Sequence, residues 1–199
     1  AAGGDMTQTP RFREWFGDSK IVDEQGAPIV VYHGSQADIE AFSPTAIYPA
    51  DRQEYMEEFG QAGVYFTADP NYAATYAQGG ATPSIYPVYL SLQNPLVISE
   101  PTFWESIKAV VTAGADKITE TSYIPRSRID ELEAEGYDGI INPNANEIIA
   151  FRPEQIKSQM NRGTFDRTDP RIMNQSGRDR LTEQDKQAAV DQANRFSDL

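Results

Sequence analysis

The stretch PIVVYHGS, residues 28–35, holds the only histidine of the chain. Its β-branched run predicts a short strand that is buried on both faces. His33 ends this run and Gly34 follows at once. Because a glycine lets another group approach the backbone closely, the pair indicates a strand end that meets a ligand. A lone histidine at a strand end is more often structural, so both interpretations stay open at this point.

The composition limits the classes of function. With 30 acidic and 17 basic residues, the net charge is −13, which argues against a broad nucleic-acid or anionic-membrane surface. The absence of cysteine excludes disulfides, cysteine nucleophiles and thiolate metal sites, and one histidine excludes a multi-histidine metal site. Carboxylate metal sites stay open. We find no signal peptide and no apolar run of membrane-spanning length, so we expect no membrane partner.

Start and stop signals predict helices that interleave with short strands. Thr9 followed by proline starts a helix that stops at Gly17, and Asp69 followed by proline starts another. The absence of a regular strand–helix rhythm favours an α+β domain over a doubly wound sheet. The predicted helices span residues 9–17, 49–61, 69–80, 101–114, 126–136 and, weakly, 181–196. The predicted strands span 28–33, 63–67, 84–98 as one strand or two, and a hairpin of 139–143 with 147–153.

A few polar and aromatic side chains on these elements are candidates for chemistry. Tyr65 alternates with two apolar neighbours and faces away from them, which fits a core, a surface or a site. Tyr72 and Tyr76 are one helical turn apart, a spacing usual in ordinary packing. Glu147 precedes the run IIAF, where a charge is costly unless it is paired or belongs to a site. Exposure at a sheet edge is the alternative.

The order of three motifs is more specific than any one of these residues. YHGS, GVYFTADPNYAATY and NEIIAF together resemble the His-Tyr-Glu group of ADP-ribosyltransferases, which includes diphtheria toxin and the poly(ADP-ribose) polymerases. Tyr76 follows Tyr65 by 11 residues, as in the tyrosine run of diphtheria-like toxins. WFGDSKIVDEQGAPIVVYHGS, GYDGII and NRGTFDRTDPRIMNQ resemble the ADP-ribosyltransferase modules of large polyvalent proteins from phages and mobile elements. The resemblance runs from Phe12 to Gln175.

The resemblance implies an α+β split-sheet fold, in which NAD lies in a cleft between two small, roughly perpendicular sheets. It places the ADP-ribosyltransferase domain at residues 9–175. Residues 1–8 are then a flexible segment or a cloning remnant, and residues 176–199 are a polar tail or weak helix.

The resemblance also implies which residues bind NAD. His33 would hydrogen-bond the adenosine ribose, and the Gly34 backbone would pair with the nicotinamide amide, a contact for which only a residue without a β-carbon leaves room. Ser35 belongs to the same NAD-binding motif. Tyr65 and Tyr76 would stack on the two faces of the nicotinamide ring, a planar cationic leaving group.

The catalytic set implied by the resemblance is Glu147, His33 and Tyr65. Glu147 would accept a hydrogen bond from the 2′-hydroxyl of the nicotinamide ribose. Its negative charge would stabilise the oxocarbenium-like transition state as nicotinamide departs. His33 positions the ligand and is not a general base. The mechanism needs no metal and no covalent enzyme intermediate.

Two positions depart from related branches of the family. Poly(ADP-ribose) polymerases have a serine on the helix after the tyrosine motif, where this chain has Ala73. Arginine-modifying relatives have an acidic or amide residue two positions before the glutamate, where this chain has Ala145. These departures disfavour a polymerase and disfavour arginine as the acceptor.

We therefore expect a mono-ADP-ribosyltransferase that consumes NAD and modifies a macromolecule, as a toxin, effector or phage-delivered factor. The acidic chain favours protein over nucleic acid as the acceptor. We expect a monomeric domain of a larger protein that acts in the cytoplasm, after delivery into a target cell. The alternatives are an NAD glycohydrolase, with water as acceptor, and a non-catalytic module that binds NAD or a partner. The intact His33, Tyr65 and Glu147 set argues against the binding module.

We predict that a chain ending at Gln175 still folds and still cleaves NAD, because residues 176–199 hold no motif and little apolar surface to bury. Thermal unfolding and nicotinamide release, compared with the full chain, test this. Loss of the folded state or of turnover on truncation would place the tail within the domain.

Overall fold

The computed structural model describes residues 5–44, 62–78, 84–98, 124–143, 145–161 and 165–173. The chain divides into two compact units. The first unit comprises Ala1–Phe42, Phe66–Gln93 and Pro153–Leu199, and the second comprises Ser43–Tyr65 and Asn94–Arg152. The helices predicted at 49–61, 101–114 and 181–196 lie outside the described residues.

The first unit contains a sheet of three antiparallel strands in the order β1-β3-β7. These strands are β1 (Val31–Ser35), β3 (Ser84–Leu90) and β7 (Ile156–Ser158), and every residue of β3 is buried. Pro87 lies in the central strand although it cannot donate a hydrogen bond. The neighbouring strand β1 needs no hydrogen bond from Pro87. Tyr32, the β1 residue opposite it, exchanges its hydrogen bonds with Thr67 on the other edge of β1, with N–O distances of 2.8 and 3.0 Å.

Two short helices in the first unit begin where the sequence predicts. Helix α1 (Pro10–Phe16) is capped by Thr9, whose hydroxyl accepts from the Phe12 N–H, and it ends at Gly17, where φ is 55°. Helix α2 (Pro70–Ala77) is capped by Asp69, whose carboxylate accepts from the Asn71 N–H at 2.9 Å. Both predicted starts are confirmed. Residues 79–80, which were expected to end α2, lie outside the described residues.

The second unit contains a sheet of four strands in the order β2-β6-β5-β4. Strands β5 (Gly139–Asn142) and β6 (Glu147–Ala150) form the predicted hairpin, and β4 (Leu96–Val97) runs parallel to β5. Strand β2 (Val64–Phe66) leads the chain into the first unit, to which Phe66 belongs. Stretch 84–98 therefore forms two strands, β3 and β4, one in each sheet.

Helix α3 (Arg126–Ala134) confirms the prediction for residues 126–136, and Gly136 after it has φ 92°. Its buried residues Ile129 and Leu132 join the apolar core of the second unit. The described residues form two separate sheets, of three and four strands, with few helices, and the α+β split-sheet prediction is confirmed. A short 3₁₀ helix, Met6–Gln8, lies within the segment 1–8 left outside the predicted domain. Within the described ranges, no helix has the length and apolar character needed to cross a membrane.

A buried lysine ties the last described segment to the first unit. Lys157 on β7 is fully buried, and its ammonium donates to the carbonyl oxygens of Asp169 at 2.6 Å and Arg171 at 2.7 Å. Burial lowers the pKa of Lys157, an effect that the nearby Asp169 carboxylate partly offsets. The Ile172 N–H donates to the Glu40 carbonyl at 3.0 Å. Hydrogen bonds therefore connect residues 169–172 to β7 and to the loop that contains Glu40.

Asp169→Asn tests the electrostatics of this segment. The hydrogen bond from the Arg171 guanidinium, 2.6 Å away, holds the pKa of Asp169 at about 2, against 3.8 ordinarily. A carboxyl with a depressed folded-state pKa contributes stability above pH 3.8 that is lost as pH falls through about 2. We expect the variant to be less stable at neutral pH and to lose less stability between pH 3.8 and about 2.

Urea unfolding as a function of pH measures this difference. Glu24→Gln, at an exposed turn position, is the control for removing one negative charge. Parallel pH profiles for the wild type and Asp169→Asn would contradict the assignment.

Candidate functional site

The residues singled out by sequence fall in both units. His33, Gly34, Ser35 and Tyr76 belong to the first unit. Tyr65 and Glu147 belong to the second, where their strands β2 and β6 are hydrogen-bonded neighbours in one sheet. The structure thus brings together the strand–turn and helix motifs in the first unit, and the tyrosine and glutamate strands in the second.

Strand β1 begins at Val31 and runs to Ser35, and only Val31 in it is buried, so the prediction of a strand that is buried on both faces and ends at His33 is wrong. His33 lies half-buried in the middle of β1 against two aromatic rings. The ring of Phe42 meets the imidazole edge-on, with centroids 4.9 Å apart and planes at 80°. Phe66 lies 5.7 Å away at 57°. Both phenylalanines are buried. The two phenylalanine rings therefore restrict the rotation of the imidazole. Hydrogen bonds of His33 are made by its ring nitrogens.

Tyr86 fixes the loop that carries Phe42. Its hydroxyl accepts from the Ile39 N–H at 2.8 Å and donates to the Ala37 carbonyl at 3.2 Å. Tyr86 also lies directly opposite His33 in the β1–β3 ladder. Sequence reasoning missed Phe42 and Tyr86. The alternation along β3 predicts that Tyr86 is directed to one face, but nothing local indicates that the loop returns to it.

A helix packs against the α-carbon of Gly34. A β-carbon at this position would collide with the carbonyl oxygen of Ala73 and lie 2.8 Å from its carbon. The backbone of α2 therefore occupies the space next to the Gly34 α-carbon. The missing β-carbon leaves room for the helix. That it also leaves room for a ligand stays a prediction.

The N–H and C=O groups of Gly34 point away from β3. Tyr32 exchanges its hydrogen bonds with Thr67 on the edge of β1 opposite β3. Because N–H and C=O groups point to alternate sides along a strand, those of Gly34 point to the same edge as those of Tyr32. The Gly34 N–H is a donor and its C=O an acceptor, and a planar primary amide can pair with both at once.

Ser35 closes the turn that follows β1. Its hydroxyl donates a hydrogen bond to the Ala37 carbonyl at 2.9 Å and accepts one from the Ala37 N–H at 3.1 Å. Gln36, the next residue, donates its side-chain amide to the Gln78 carbonyl after α2, at 2.9 Å. The turn after the histidine motif is thus tied to the end of the helix that packs on Gly34.

Helix α2 presents a small buried face and an aromatic exposed face. Ala73 and Ala77 are buried, and they pack with Ile85 of β3. Tyr72 and Tyr76 are exposed, at 38% and 57%. Their spacing is usual in ordinary packing, but the two tyrosines lie outside the apolar core. The Tyr76 ring therefore has an accessible face on which a planar group can stack.

Tyr65 and Glu147 occupy half-buried positions in the second unit. Tyr65 lies between the buried Val64 and Phe66, which confirms the predicted alternation, and it packs against the apolar core of the unit. Glu147 is the first residue of β6 and lies opposite Asn142. It therefore sits at the start of the strand, beside the hairpin turn, while the three residues after it are buried.

The hairpin turn before Glu147 has a defined geometry. The Asn142 side-chain oxygen accepts from the Ala145 N–H at 3.3 Å, and Asn146 adopts a left-handed φ of 52°. Asparagine tolerates this conformation better than most residues. The carboxylate that follows can accept hydrogen bonds and stabilise a positive charge. Among the described residues, no group of three or more histidine, aspartate or glutamate side chains is arranged to hold a metal ion.

Gly34→Ala separates the helix-packing role from a ligand-access role. We expect the variant to lose about 1–3 kcal/mol of unfolding free energy, because the backbone of α2 must shift to admit the β-carbon. Chemical unfolding without ligand measures this loss. An unchanged unfolding free energy, with weakened ligand binding alone, would contradict it.

Comparison with known proteins identifies the family. The family described as "ADP-Ribosyltransferase in polyvalent proteins" matches residues 23–165, well over half of the chain. No curated protein and no solved structure gives a significant match. The matched span contains every candidate site residue described above. The chain therefore belongs to the ADP-ribosyltransferases of polyvalent proteins, as the resemblance of its motifs suggested.

Proposed function

We propose that this chain is an NAD-dependent mono-ADP-ribosyltransferase. It cleaves the bond between nicotinamide and ribose and transfers ADP-ribose to a macromolecular acceptor. The observation that carries the proposal is the complete set of His33, Tyr65 and Glu147 inside the span matched by the family. A module that only binds NAD has no need of the glutamate.

The β1–α2 region supplies the groups that hold NAD in this proposal. The Gly34 N–H and C=O pair with the nicotinamide carboxamide, which is supported by their direction at the edge of β1. The imidazole of His33 bonds the adenosine ribose, supported by its fixed place against Phe42 and Phe66. Ser35 closes the turn that keeps this strand end in place, and Tyr76 offers the exposed face of its ring to the nicotinamide.

Tyr65 stacks on the nicotinamide ring in this account. Its half-buried position, packed against the core of the second unit, supports a rigid platform for a planar cationic group. The role needs the aromatic ring and not the hydroxyl.

Glu147 acts on the ribose. It accepts a hydrogen bond from the ribose 2′-hydroxyl, and its charge stabilises the developing oxocarbenium ion. The bond between C1′ and the pyridinium nitrogen breaks, and its electron pair leaves with neutral nicotinamide. The acceptor nucleophile then forms a bond to C1′ and loses its proton. A half-buried position at the start of β6 supports this role, because partial burial strengthens the electrostatic interaction without isolating the charge.

Three features support a choice of acceptor and of single transfer. The net charge of −13 favours protein over nucleic acid. Ala73 points into an apolar cluster, where a carboxamide-binding serine hydroxyl would be poorly placed, which supports single transfer over polymerisation. Ala145 in place of an acidic or amide residue disfavours arginine as the acceptor. We propose a monomeric domain of a larger protein that serves as a toxin, effector or phage-delivered factor in the cytoplasm of its target.

Glu147→Gln tests the catalytic assignment. The change keeps the size and hydrogen-bonding shape of the side chain but removes its charge, so the transition state loses its electrostatic partner. We expect nicotinamide release to fall by about 10²–10³, while the Kd for NAD changes much less. Calorimetry gives the Kd, and timed nicotinamide release gives the rate.

Glu135→Gln is the matched control, since Glu135 lies exposed after α3 in the same unit. Near-normal release from Glu147→Gln would refute the catalytic role. Wild-type protein that binds NAD but never releases nicotinamide, even with cell lysate, would favour the binding-module interpretation.

A further inference from the structure

The two exposed tyrosines of α2 contact each other in a specific way. The rings of Tyr72 and Tyr76 are 5.5 Å apart at an interplanar angle of 86°, an edge-to-face pair. Their hydroxyl oxygens are 3.1 Å apart and share a hydrogen bond. Side chains on a helix lean toward its N-terminus, so the ring of Tyr76 leans back onto the residue one turn earlier.

This contact is not explained by the stability of the fold. Both side chains are exposed, so water competes for their hydroxyls and the hydrogen bond between them contributes little to the free energy of unfolding. An exposed aromatic side chain exchanges rotamers within nanoseconds. An edge-to-face contact and a hydroxyl bond together restrain the Tyr76 ring to one orientation. The effect of the pair is therefore to fix the orientation of the Tyr76 side chain.

The helix that carries the pair is fixed independently of it. The Asp69 cap sets its start, the Ala73 carbonyl is seated against Gly34, and Gln36 bonds to the carbonyl of Gln78 after its end. Removing one tyrosine hydroxyl leaves all three contacts in place. The orientation of the Tyr76 ring can thus change while the position of α2 does not.

We propose that Tyr72 is a positioning residue that holds the Tyr76 ring in the orientation that receives the nicotinamide of NAD. This inference rests on the proposed role of Tyr76 in NAD binding. Ordering a side chain on binding costs free energy, and a ring that is ordered beforehand avoids that cost. Tyr72 acts through Tyr76 and does not touch the substrate.

A double-mutant cycle tests this assignment. Tyr72→Phe and Tyr76→Phe each remove the same hydrogen bond and keep both rings. We expect each to raise the Kd and KM for NAD by about two- to tenfold, with the thermal midpoint unchanged. For Tyr72→Phe, which does not touch the substrate, we also expect kcat at saturating NAD to stay at the wild-type value. The double variant should be no worse than either single variant, because only one bond is lost. Asn71→Ala, an exposed change on the same helix, should leave the Kd at the wild-type value.

Each alternative outcome is distinct. Wild-type NAD affinity in Tyr72→Phe would overturn the positioning role. A double variant whose loss equals the product of the two single losses would also overturn it, because the hydroxyl of Tyr72 would then act separately from Tyr76. Calorimetry measures the cycle without turnover, so a failure of nicotinamide release would refute the proposed function and leave the positioning result standing. Absence of NAD binding in the wild type would overturn both.

Discussion

The close approach of α2 to β1 at Gly34 sets the geometry of the first unit. The Ala73 carbonyl oxygen lies where a side chain of residue 34 would begin, so strand and helix meet backbone to backbone. Such a contact requires glycine on the strand and small residues on the facing side of the helix, and Ala73 and Ala77 provide them. It fixes His33 on the strand and Tyr76 on the helix relative to each other, since both belong to the elements that it joins.

A second layer of contacts keeps the histidine in place. Phe42 reaches the imidazole from a loop that is held by the Tyr86 hydroxyl and by the pairing of Glu40 with Ile172. The segment that contains Ile172 is anchored in turn by the buried ammonium of Lys157. Residues 169–172 lie beyond the span matched by the family, yet their hydrogen bonds hold the loop that carries Phe42.

Sequence reasoning succeeded where the determinants are local. The Thr9 and Asp69 caps fixed the starts of α1 and α2, because a capping side chain bonds to an N–H two or three residues away. The turn residues Asn142 to Asn146 predicted the hairpin, because the conformation of a tight turn is set by its own residues. The α+β class followed from the order of such elements.

Features that depend on distant residues could not be predicted in this way. The reason for Gly34 is a carbonyl 39 residues along the chain, in Ala73. Lys157 is fully buried, against the usual preference of lysine for the surface, because two carbonyls from residues 169 and 171 receive its ammonium. The candidate site itself came from the resemblance of three ordered motifs, since neither composition nor periodicity distinguishes His33 or Glu147 from ordinary structural residues.

The proposed activity is the transfer of ADP-ribose from NAD to a macromolecule. The most direct measurement is incubation of the purified protein with NAD labelled in the adenosine moiety, with and without cell lysate. Protease or nuclease treatment then shows which material carries the label. The account predicts nicotinamide release together with label in lysate material that protease removes and nuclease does not. Absence of nicotinamide release in both conditions would contradict it, and release with all label in free ADP-ribose would show that water is the acceptor.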